Sequence, residues 1–179
     1  MNIKVITADP SHAFTISSIG KQSFRDAFAC LFKNKEELLE YLEYTYHPDK
    51  IAKSLEKENN VFFLAFVENV PVGFAKVKKH SLNEQIESIA QMELQKIYVL
   101  SYYHGSGAGQ ALFQAVVDLA NEIQPDFLWL DTHVSNAKAI RFYEKNGFRK
   151  SGKYHFTIGT QTFEYHLMSL AITVMQPCC

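Results

Sequence analysis

"YYHGSGAGQAL", residues 102–112, places three glycines, Gly105, Gly107 and Gly109, between a β-rich segment and an apolar helical one. A helix N-terminus carries unpaired N–H groups and a partial positive charge, and glycines let the backbone approach a phosphate closely. The stretch therefore reads either as a phosphate cradle or as a tight turn without a ligand. Two phosphate loops fit it poorly. A P-loop needs a lysine after its last glycine, and none occurs between residues 97 and 137. A dinucleotide fingerprint needs glycine at the sixth position, where Gln110 stands, and it normally follows the first strand of its domain. Asp131, at the end of the next strand, would suit a ribose-binding acid but does not repair that mismatch.

Working outward, "QMELQKIYVL" (91–100) reads as the strand before the loop. Ala108, Ala111, Leu112, Ala115, Val116, Leu119, Ala120 and Ile123 form one apolar helical face after it. "PDFLWLDTHV" (125–134) is a strand, and "SNAKAIRFYEKNG" (135–147) a helix with Asn136 as N-cap and Gly147 beyond its C-terminus. Residues 148–158 and 162–173 are two closing strands. Upstream, 3–7 is a strand, and helices follow within 9–28, 34–46 and 47–59. Residues 61–67 and 72–79 form an antiparallel hairpin, and the polar stretch 80–90 is a loop. The order β-α-α-α-β-β-β-α-β-α-β-β predicts an α/β sheet with packed helices.

Composition narrows the class. With 179 residues, 47% hydrophobic and 21% charged, the chain suits one globular domain, expected over 1–175 with a tail at 176–179. A net charge of -1 offers no basic excess for nucleic acid. No long apolar run suggests a secretory leader or a membrane span. Three scattered cysteines, Cys30, Cys178 and Cys179, suit a reducing cytoplasm, and neither they nor His155 and His166 have metal-ligand spacing.

A third glycine pattern, Arg/Gln-x-x-Gly-x-Gly/Ala, matches "HGSGAG" in its glycines. "NAKAIRFYEKNGF" (136–148) follows Asn-x-x-Ala-x-x-Phe-Tyr-x-x-x-Gly-Phe almost position by position. With these two motifs about 30 residues apart, the chain resembles the GNAT superfamily of acetyl-CoA-dependent N-acetyltransferases over most of its length. The resemblance implies a mixed, largely antiparallel sheet with helices on both faces, splayed between the strand at 91–99 and that at 127–134. In that split, acetyl-CoA would lie along the backbone of Ile97, Tyr98 and Val99. The N–H groups of Gly105, Ser106, Gly107, Ala108, Gly109 and Gln110 would hold its pyrophosphate, with Asn136 and Ala139 also beside it. Asn136 can cap its helix at the same time. No metal is implied.

His104 departs from the resemblance, which has Arg or Gln there. A largely neutral imidazole would leave the pyrophosphate mainly to the backbone, or it is simply an exposed turn residue. Tyr143 matches the tyrosine assigned as acid to the leaving thiolate; its other reading is a core aromatic. Glu93 is the candidate base, grouped with Gln95 and Ile97 on one face of a regular strand. Glu93 as a plain strand residue, or water as the base, stays open. His133 either lines the acceptor channel or is structural.

The acceptor partner is read as a small-molecule amine, and a homodimer is compatible with this. Glu36, Glu37, Glu40, Glu43 and Asp49, with Tyr41, Tyr44 and Tyr46, suit a polycation. "YLEYTYHPDKI" looks like the bacterial spermidine/spermine acetyltransferase branch. A protein N-terminus or lysine, another small amine, and a non-catalytic acetyl-CoA-binding module are the alternatives.

Overall fold

The computed structural model describes residues 2–172; the tail expected at 176–179, with Cys178 and Cys179, lies outside them. Strand β1 (Ile3–Thr7) leads into three helices, α1 (Ala13–Phe28), α2 (Lys35–Thr45) and α3 (Pro48–Leu55). Strands β2 (Asn60–Val67), β3 (Val70–Lys78) and β4 (Gln91–Val99) follow. Then come α4 (Ala108–Ile123), β5 (Phe127–His133), α5 (Ala137–Lys145), β6 (Arg149–Ile158) and β7 (Gln161–Ala171). The seven strands make one sheet in the order β1-β2-β3-β4-β5-β7-β6, antiparallel at every junction except β4–β5.

Local chemistry accounts for the boundaries. Asn34 accepts from the Glu36 N–H at the start of α2, and Pro48 opens α3, where its missing donor costs nothing. The β2–β3 turn has positive φ at both Glu68 (48°) and Asn69 (66°), the handedness that matches strand twist in a two-residue hairpin. Gly147 (φ 90°) ends α5.

The sheet separates two cores. On one face α4 buries Ala108, Leu112, Val116 and Ala120 completely, and α5 adds Ile140 and Tyr143. Each large apolar side chain removed from water there contributes about 1.5–3 kcal/mol. On the other face Ile16, Ile19, Phe24, Leu42 and Tyr46 pack from α1–α3 onto Phe62, Leu64 and Phe74.

Two irregularities shape the space between these layers. First, β4 and β5 pair only at Gln91–Glu93 with Phe127–Trp129, so the edge of β4 beyond Glu93 faces a gap. Second, Lys76 pairs with Lys96 but Val77 pairs with Leu94, which leaves Gln95 as a bulge. The expected grouping of Glu93 with Gln95 and Ile97 therefore fails. The extra residue turns Glu93, Lys96 and Tyr98 to the α1–α3 face with Lys78, Lys76 and Phe74, while Leu94 and Ile97 join the α4 core.

The open side of the gap is also tied. Thr160, in the β6–β7 turn, donates to Glu37 through its N–H (3.1 Å) and hydroxyl (2.8 Å). Gln161 donates to the Leu31 carbonyl (2.6 Å) and accepts from the Lys33 N–H (2.9 Å).

Candidate active site

At the end of β4 the chain turns through Ser101–Tyr103 and enters α4 across the glycines. Gly105 (φ 84°) and Gly107 (φ 94°) hold left-handed conformations that side-chain-bearing residues rarely adopt. Two of the six expected donors are engaged within the loop. Ser106 N–H donates to the Tyr103 carbonyl (3.2 Å), and Ala108 N–H to the Ser106 hydroxyl (3.3 Å). The N–H groups of Gly105, Gly107, Gly109 and Gln110 have no partner among the described residues. Four free donors in the loop and first turn at a helix start are suited to phosphate oxygens.

His104 is not a free turn residue. Its Nε2 donates to the Val99 carbonyl (2.9 Å), which leaves Nδ1 as acceptor for the Lys138 ammonium (3.1 Å). The imidazole thus bridges the end of β4 to Lys138, from α5, which brings an ammonium group to this corner. Sequence reasoning missed Lys138. Its one signal was a cation in the first turn of a helix, where the dipole disfavours positive charge. Asn136 caps α5 by accepting from the Ala139 N–H (3.2 Å), and its amide NH₂ is unbonded among the described residues. Ile97, Tyr98 and Val99 lie on the stretch of β4 that β5 does not cover.

Tyr143 is 6% exposed, with its ring against Phe142 and Phe148 (centroids 5.5 and 5.7 Å). Burial holds its phenol well above the usual range, so the group stays a proton donor. Its hydroxyl makes no hydrogen bond among the described residues, and the side chain lines the cavity that fills the gap. That cavity, about 1920 Å³, also touches Gly105, Asn136, Lys138, Glu93, Asp131 and Lys96. A single small-molecule site usually measures about 300–1,000 Å³, so this one has room for two substrates.

The carboxylates on the α1–α3 side are unequal. Glu93, 6% exposed, accepts from Lys78 Nζ (3.0 Å) and the Ser81 hydroxyl (2.7 Å). Gln91 arranges the latter: its side chain bonds Asn83, Ile86 and Ser88 and pins the 80–90 loop. Asp131, on β5, has a buried Oδ1 without a partner. Burial pushes its carboxyl up to about 6, with the Tyr154 hydroxyl and Lys78 pulling down and Glu93 pushing up. Its environment, invisible in the sequence, is what marks Asp131 out.

His133 is boxed by Phe28, Phe163 and Tyr165, and its Nδ1 meets the Ser135 hydroxyl (2.7 Å). Burial holds its imidazole below the ordinary range. The acidic, tyrosine-rich helices are engaged in part, and Glu40, Tyr41 and Tyr44 line the cavity. Glu43 pairs with Lys21 (2.7 Å), Glu37 holds Thr160, Lys50 sits 3.4 Å over the Tyr44 ring, and Tyr46 is fully buried. Among the described residues no three His, Cys, Asp or Glu side chains cluster as a metal site, and no helix is long and apolar enough to cross a membrane.

A sheet parted beside a glycine-rich helix start, with room for a second substrate across the sheet, is the arrangement of an acetyl-CoA-dependent N-acetyltransferase. The chain belongs to the Acetyltransferase (GNAT) family, whose sequence pattern matches residues 22–148. An uncharacterized N-acetyltransferase from the pepI 3' region of Lactobacillus delbrueckii subsp. lactis is 22% identical over 158 residues, 88% of this chain and 90% of that protein. Among solved structures, the PaiA N-acetyltransferase of Thermoplasma acidophilum in complex with coenzyme A matches with a TM-score of 0.77 at 18% identity, covering 96% of this chain and all of that one. The ribosomal-protein-S18-alanine N-acetyltransferase of Escherichia coli matches at 0.69 and 19%, covering 98% and 97%. At these identities the two structures attest the fold.

Proposed function

We propose that the chain moves the acetyl group of acetyl-CoA to the primary amine of a small molecule by direct attack, with both substrates in the cavity at once. The observation that carries this is the one cavity joining the unpaired N–H groups at the start of α4 to Asp131, whose buried Oδ1 has no partner among the described residues. Acetyl-CoA supplies an acetyl group on a thioester, which only an unprotonated amine attacks. The N–H groups of Gly105, Gly107, Gly109 and Gln110, the Asn136 amide and the Lys138 ammonium hold the phosphate end. The backbone of Ile97, Tyr98 and Val99 holds the arm as an added strand would.

Tyr143 donates a hydrogen bond toward the departing sulfur. Full proton transfer from an unperturbed tyrosine to a thiolate is already uphill by about 2 kcal/mol, and burial of Tyr143 increases that gap. The hydrogen bond is therefore its contribution. Asp131 takes the ammonium proton, since a base with pKa near 6 is better matched to neutral pH than an ordinary aspartate. Glu93, the base expected from the sequence, already carries Lys78 and Ser81, and it acts by raising the Asp131 pKa.

Of the residues that suggested a polyamine, Glu43 and Glu37 are engaged within the protein, while Glu40, Tyr41 and Tyr44 line the cavity. The test is thiol release from acetyl-CoA against polyamines, amino acids, aminoglycosides and peptides. Turnover with a small amine is expected. Turnover with peptides alone would move the assignment to a protein acetyltransferase. Tight coenzyme A binding without any turnover would leave a regulatory module.

A further inference from the structure

Lys76 and Lys96 have no role in the chemistry above, yet they stand directly opposite one another on β3 and β4. Both are half-buried and line the cavity on its α1–α3 side. Lys76 Nζ lies 5.4 Å from the Phe62 ring centre and Lys96 Nζ 5.3 Å from that of Tyr46. No carboxylate among the described residues reaches within 4 Å of either ammonium. Glu93 shares their face but is paired with Lys78.

Like charges directly opposite in a sheet destabilise it, and lysines are seldom buried without a partner. Burial and the neighbouring lysines lower both to about 8, with Glu93 the counterweight. Lys50, Lys57 and Lys78 add positive charge around the pair. A cationic acceptor would add to this repulsion; an anionic group would relieve it.

We propose that Lys76 and Lys96 seat an oxyanion on the acceptor, so that the acceptor is a primary amine that also carries a carboxylate or phosphonate-like group. This rests on the function proposed above and narrows its substrate. The seat is separate from the phosphate corner. Lys96 precedes Val99 by about 10 Å of strand and faces α1–α3, whereas Ile97 and Val99 face α4.

The experiment compares butylamine, 4-aminobutyrate, 3-aminopropylphosphonate and spermidine in the thiol-release assay at saturating acetyl-CoA. A charge-assisted pair of contacts predicts kcat/KM for one of the two anionic amines at least about tenfold above butylamine, with spermidine below it. The better of the two identifies the oxyanion. In the Lys76→Met/Lys96→Met double variant the ratio of anionic to neutral amine should fall to within about threefold of one, and Lys76→Arg/Lys96→Arg should restore it. Preference for spermidine or butylamine, or a preference that survives the double methionine change, would overturn the proposal. So would a raised acetyl-CoA KM with the ratio unchanged, which assigns the lysines to the cofactor. If no amine is turned over, the proposed function fails on its own. The seat is then read by calorimetric titration of the two anionic amines into coenzyme A-loaded protein. Saturable binding lost in the double methionine variant supports it, and no binding to the wild type sinks it.

Discussion

Replacing Tyr143 by phenylalanine removes one oxygen and little else. The ring contacts to Phe142 and Phe148 survive, and the hydroxyl has no partner among the described residues to lose. Stability should change by less than about 1 kcal/mol. The loss falls on the transition state, where the departing sulfur gathers charge inside a buried site. A hydrogen bond to a charged group is worth about 1.5–3 kcal/mol, and each 1.36 kcal/mol is tenfold, so kcat should drop roughly 10- to 150-fold. The acetyl-CoA KM should stay within about threefold, since the contact strengthens only as the thioester breaks. Burial also keeps the phenol protonated far into the alkaline range, so wild-type kcat should show no descending limb from tyrosine ionisation up to about pH 10. Steady-state thiol release with each substrate saturating measures all three quantities. An unchanged kcat, or a loss confined to KM, would remove Tyr143 from the chemistry.

Lys138→Met should raise the acetyl-CoA KM about tenfold with kcat preserved, and the effect should shrink at high ionic strength. His104→Ala should raise it by less, because the imidazole orients the lysine; the reverse order in the two titrations would contradict the wiring of this corner. Asp131 is a carboxylate only above about pH 6, so the amine kcat/KM should fall as pH drops through 6, and Asp131→Asn should lower it at least about 100-fold. Because the folded pKa lies above the ordinary 3.8, ionisation costs stability as pH rises from about 4 to 6. Asp131→Asn should therefore melt higher than wild type at pH 8 and not at pH 4. If Glu93→Gln abolishes the limb at pH 6 and Asp131→Asn keeps it, the base is Glu93.

The order of elements was legible because each carries its own signal within a few residues: the alternating hairpin, the apolar face after Gly107, the Asn136 cap. The glycine loop and the 136–148 motif likewise announced the cofactor corner. What escaped was set across long separations. Gln95 becomes a bulge only through the pairing of β4 with β3, and no feature of "MELQKI" shows it. Lys138 meets His104 across 34 residues, and Glu37 meets Thr160 across 123, which is how an apparent substrate-binding acid turns out to be structural. Asp131 looked like a strand-end acid because its desolvation belongs to the assembled cavity.

Two of the joints around the cavity are small: three residue pairs between β4 and β5, and the β6–β7 turn fastened at Glu37, Leu31 and Lys33. The protein is thus a frame fastened on the side opposite the seam by hydrogen bonds at Thr160 and Gln161 and by the packing of Phe32 on Phe163. Substitutions at Thr160, Gln161 or Glu37 would alter that fastening while leaving the glycine corner and Tyr143 untouched. That separation gives evolution an inexpensive way to exchange one amine for another on the same cofactor-binding chassis.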